Sequence, residues 1–147
     1  MADETTILAR LKTIAQTVSG IDDARIVLGL ADIGASTDWW RQLDDSVSTT
    51  GGPYLVILPF EMTGMNDARN AEVETLARLY TAVAKDAAQE LTTQQTLVCA
   101  VRDAWLLASN FSDCPAPTNI RYSRPQLVMD RDPVRLMWEF TLSFLVC

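Results

Sequence analysis

Val134-Arg135-Leu136-Met137-Trp138-Glu139-Phe140-Thr141-Leu142-Ser143-Phe144-Leu145-Val146-Cys147, the last fourteen residues of a 147-residue sequence, alternates between two characters without a break. Val134, Leu136, Trp138, Phe140, Leu142, Phe144 and Val146 fall on one parity; Arg135, Met137, Glu139, Thr141, Ser143, Leu145 and Cys147 fall on the other. A period of two is that of a β-strand with one buried face. At about 3.3 Å per residue the run reaches roughly 45 Å, far beyond the usual strand. Just before it, Asp130-Arg131-Asp132-Pro133 suits a tight reversal, because Asp bonds nearby backbone and Pro presets φ. Ile120 to Met129 is therefore the expected first strand of a C-terminal β-hairpin.

Working outward, Ile7, Leu8, Leu11, Ile14, Ala15 and Val18 recur at helical spacing, with Asp3, Thr5 or Thr6 as caps and Ser19-Gly20 as the stop. Arg25 to Leu30 is short, apolar and β-branched, a strand pattern. Ala31 to Pro53 reads as a long loop, of the kind that carries function in compact domains. Pro53 to Phe60 is proline-bounded and almost wholly apolar, which predicts a strand covered on both faces. Glu61 to Asn70 reads as an acidic turn pivoting at Gly64. Thr92 or Thr93 opens a second helix to about Ser109, with Leu97, Val98, Val101, Ala104, Trp105 and Ala108 on its buried stripe. Glu72 to Ala88 fits two periods at once: Val73, Leu76, Ala77, Tyr80, Val83, Ala84 and Ala87 make a helical stripe, whereas Val73, Thr75, Ala77, Leu79, Thr81 and Val83 make a strand face. Its Ala and Glu content favours helix by propensity. The expected fold is a single α+β domain, a mixed or antiparallel sheet with a long C-terminal hairpin packed against two main helices.

The chain has no histidine, which removes Ser-His-Asp and Cys-His nucleophilic systems and most transition-metal sites. The acid pairs Asp22/Asp23, Asp44/Asp45, Glu72/Glu74 and Asp130/Asp132 sit in turns or solvated stretches, where carboxylates keep ordinary acidity. Gly51-Gly52-Pro53 precedes a strand, whereas phosphate-binding loops follow one and open a helix. Cys99, Cys114 and Cys147 form no CxxC pair, so neither a disulfide framework nor a zinc site follows. The expectation is a non-enzyme without cofactor or metal. Net charge is −7, and from Met1 to Glu74 twelve acids face five bases; such a surface does not attract phosphate backbones. An acidic Met1-Ala2-Asp3-Glu4 start and the lack of a long apolar run predict a cytoplasmic protein with no membrane partner.

Trp39-Trp40 has two readings, a satellite of the core or an anchor for a partner, the second a role in which Trp is enriched. The element order, together with Pro53-Tyr54-Leu55-Val56-Ile57-Leu58-Pro59, Val73 to Val83, Val101-Arg102-Asp103-Ala104-Trp105-Leu106 and Trp138 to Phe144, resembles the tail terminator and neck (tail-completion) proteins of tailed bacteriophages. The resemblance covers most of the chain and is one of character and order. It implies a strand at Glu72 to Val83, against propensity. It also implies a virion protein assembled in the host cytoplasm, whose rings, commonly hexamers, cap the tail tube and join it to the neck or connector protein. DNA would pass through the channel without specific binding, and acids lining it would repel phosphate. The long strand, through Val134, Leu136, Trp138, Phe140, Leu142 and Phe144, then becomes the expected inter-subunit strand. Another neck, head-closure or baseplate component is the alternative, with a small carboxylate or metal-dependent enzyme behind it.

Overall fold

The structure is a computed structural model that describes residues 4–29, 53–65, 71–82, 87–111, 115–128 and 135–146. Its centre is an antiparallel ladder between β4 (Ala71–Ala82) and β7 (Arg135–Val146), with twelve consecutive register pairs from Ala71↔Val146 to Ala82↔Arg135. On the far side of β4, β2 (Tyr54–Ile57) pairs with its C-terminal half and β3 (Glu61–Met65) with its N-terminal end. On the far side of β7, β5 (Asn119–Tyr122) and β6 (Gln126–Val128) divide the strand in the same way. β1 (Ile26–Leu28) runs parallel to β2 at the margin, and every other pairing is antiparallel. Among the described residues seven strands form one mixed, mostly antiparallel sheet, and with helices α1 (Glu4–Ala15) and α2 (Ala87–Leu106) the fold is α+β.

α1 and α2 cover one face. Every second residue of the ladder points there: Val73, Thr75, Ala77, Leu79 and Thr81 from β4, Trp138, Phe140, Leu142 and Phe144 from β7, all buried. α1 contributes Ile7, Leu8, Leu11, Ile14 and Ala15, and α2 contributes Val98, Val101 and Trp105. Trp105 meets Phe140 edge-on at 5.3 Å between ring centroids, the arrangement that the ring quadrupoles favour. Two indole N–H groups tie the layers together. Trp105 Nε1 donates to the Leu11 carbonyl at 3.1 Å, joining the helices, and Trp138 Nε1 donates to Gln94 Oε1 at 3.1 Å, joining β7 to α2.

Several boundaries differ from the sequence reading. The segment from Ala71 to Ala82 is a strand, so the helical alternative fails there; partners on both sides of β4 outweigh helix propensity. Glu61–Met65 is a strand and not a turn, with a register shift between Met62 and Gly64 that relieves the pairing. α2 runs Ala87–Leu106 instead of starting near Thr92. The first hairpin strand is broken in two around Pro125, whose ring nitrogen cannot donate to a ladder. The long strand itself spans twelve residues, about 40 Å at the usual rise. α1 ends at Ala15, and Gly20 beyond it takes φ 108°, a conformation that a Cβ would oppose while also approaching Leu97 Cδ1 to 3.1 Å.

Truncating the ring at the centre of this core, Phe140→Ala, is expected to lower unfolding free energy by about 3–5 kcal/mol. Gln94→Leu keeps the volume but orphans the buried Trp138 N–H, at a cost of about 1–3 kcal/mol. Urea denaturation followed by tryptophan fluorescence measures both.

Candidate functional site

The second sheet face, where neither α1 nor α2 packs, carries the polar half of the alternation. From β4 it presents Glu72, Glu74, Leu76, Arg78 and Tyr80, and from β7 Met137, Glu139, Thr141, Ser143 and Leu145. At one end Tyr54 and Tyr80, direct cross-strand partners, stack at 4.8 Å with Val56 buried beside them. Toward the middle, Arg78 Nε donates to Glu139 Oε2 at 3.0 Å between register partners. Burial disfavours the Arg78 cation, yet the hydrogen bond to Glu139 and the charge of its carboxylate outweigh it and hold the guanidinium pKa above its ordinary value.

The other end is acidic. Glu61 on β3 lies directly opposite Glu74 on β4, and Glu72 follows Glu74 on the same face. Like charges so placed repel across the ladder. Arg121 of β5 reaches over β7 to Glu74, but its 3.7 Å separation is long and its side chain is 63% exposed. Where β5 stops, Glu72, Glu74, Thr118, Ser143 and Leu145 line a shallow recess, and Thr118 donates both its N–H and its hydroxyl to the Ser143 carbonyl.

The residues singled out from sequence fall elsewhere. Trp39 and Trp40 lie outside the described residues, as does Val134. Trp138, Phe140, Leu142 and Phe144 are buried under the chain's own helices, and Leu136 is half-buried. The expected role of these side chains between subunits is therefore corrected. They face a core that α2 already fills, and β7 is paired on one side by β4 and on the other by β5 and β6. Open margins belong instead to the marginal strands: among the described residues, β3 pairs only with β4, and β5 and β6 only with β7. Sequence reading passed over Glu61, Arg121 and Arg124 there. One signal was available, since Pro115 to Met129 contains two arginines and no acid. Of the acid pairs, only Asp22/Asp23 and Glu72/Glu74 are within the described residues, which hold no group of three or more potential metal ligands. Cys99 is half-buried with its sulfur 4.0 Å from the Tyr122 hydroxyl, and the guanidinium of Arg102 sits 5.6 Å from the Tyr122 ring centroid. Among the described residues no helix is long and apolar enough to cross a membrane. No protein-family model matches the sequence, and no curated protein does so.

The cross-strand repulsion has a measurable consequence. Glu61→Gln should raise stability by about 0.2–1 kcal/mol, with the gain shrinking in high salt. A double-mutant cycle on Arg78 and Glu139 should return a favourable coupling of about 0.2–1 kcal/mol.

Proposed function

We propose that the chain is a structural virion protein. In this reading it forms a ring, hexameric in the family it resembles, that ends a phage tail tube and joins it to the neck or connector protein, leaving a channel for DNA. The observation that carries the proposal is the unlike character of the two sheet faces. One is covered by α1 and α2 over a largely apolar ladder, while the other presents Glu61, Glu72 and Glu74 together at one end. A sheet face with an acidic end suits a wall past which a polyanion must slide without sticking, because like charge disfavours phosphate contact. The absence of histidine from the sequence also speaks for a role in assembly over one in acid–base catalysis. Its partners are then other copies of itself, a tail tube protein and a neck protein.

Electron microscopy and mass measurement of the purified protein, alone and with isolated tail tubes, test the proposal. Rings of uniform size seated on tube ends are expected. A monomer that never rings, even at high concentration with tubes present, would contradict it.

A further inference from the structure

We infer that copies of this chain join edge to edge, the β5 margin of one against the β3 margin of the next. The inference rests on the self-association in the reading above and names the surface that performs it. Three observations carry it. First, β3 and β5 lie toward the same end of the β4·β7 ladder, β3 across Ala71–Glu74 and β5 across Phe140–Ser143. Side-by-side copies can thus continue the sheet after a slide of two to three residues, about 7–10 Å. Second, three antiparallel pairings separate β3 from β5, so the two strands run in opposite senses. Copies of the same orientation would therefore meet through an antiparallel junction, the commoner and slightly more stable kind.

Third, the margins are opposite in charge. The β5–β6 side carries exposed Arg121 and Arg124 with no acid from Asn119 to Val128, whereas the β3 side carries exposed Glu61 beside Glu72. Among the described residues, neither the Glu61 carboxylate nor the Arg124 guanidinium makes an ion pair. Glu61 and Arg121 project from the same sheet face, being register partners of Glu74 and Thr141. A register that keeps the faces continuous can therefore set them opposite each other. An unlike pair of edges makes a heterologous contact, which closes into a ring when the rotation between copies permits.

Charge exchange tests this. Three variants are compared with the wild type by sedimentation velocity at concentrations where the wild type assembles: R121E/R124E, E61R/E72R, and R124E alone. The last leaves the Arg121–Glu74 contact intact. Far-ultraviolet circular dichroism checks that each is folded. Each variant should associate about tenfold or more weakly than the wild type. An equimolar mixture of the two double variants, whose like-charged margins are now complementary between the two species, should recover assemblies that neither forms alone. Folded variants that ring with wild-type affinity would overturn the edge pairing while leaving the ring reading standing. A wild type that never associates removes both.

Discussion

The register between β4 and β7 is the constraint on which everything else depends. Twelve pairs in unbroken register set which face each residue occupies, and because the side-chain period is two, a slip of β7 by one residue would turn Trp138, Phe140 and Phe144 away from the helices. Trp138, Phe140, Leu142 and Phe144 land opposite Leu79, Ala77, Thr75 and Val73, so the larger side chains of β7 face small or β-branched ones at Ala77, Thr75 and Val73, and Trp138 faces Leu79. That alternation of size lets α2 lie close over β7, with Trp105 seated against Phe140 and Val98 and Val101 buried on the same stripe. The buried polar atoms reinforce the register. The Thr75 hydroxyl bonds the Leu58 carbonyl, and the Trp138 indole bonds Gln94, leaving those groups no penalty for losing water.

The flanking strands are each interrupted. Leu58-Pro59-Phe60 separates β2 from β3, and Ser123-Arg124-Pro125 separates β5 from β6, although Leu58 and Ser123 still donate to Leu76 and Glu139 across the gaps. Short, proline-broken and charged margins resist indiscriminate strand pairing. In the edge pairing proposed above, they would leave association to margins of complementary charge. The faces differ as well: the larger apolar cluster lies under α1 and α2, whereas the other face carries carboxylates at one end and the buried Tyr54, Val56 and Tyr80 at the other.

Elements whose local pattern agrees with their tertiary surroundings were legible in the sequence. α1 showed its stripe of Ile7, Leu8, Leu11 and Ile14, and β7 its strict alternation, because each buries one face only and the burial imposes the period. Ala71–Ala82 was ambiguous because Val73, Ala77 and Tyr80 satisfy both periods; neighbours 53 to 75 residues away, from Ala82↔Arg135 to Ala71↔Val146, decide it. β3 was illegible because Glu-Met-Thr-Gly-Met carries no alternation and contains a bulge, so only its pairing with β4 makes it a strand. The candidate surface was hidden for a related reason. Exposed alternating polar residues announce a strand, but whether that strand is marginal or interior depends on where the chain returns. The length of β7 pointed toward a subunit junction, yet its length serves a ladder inside the chain, and the margins fall to the short strands beside it.

Native-state hydrogen exchange measures the central constraint most directly. If the β4·β7 register holds the fold together, the hydrogen-bonded amides between Val73 and Thr81 and between Met137 and Phe144 should exchange only through global unfolding, with the free energy found by denaturant. Amides of α1 and β6 should open at lower cost. Exchange from β4 and β7 as fast as from the marginal strands, with the helices protected instead, would contradict the account.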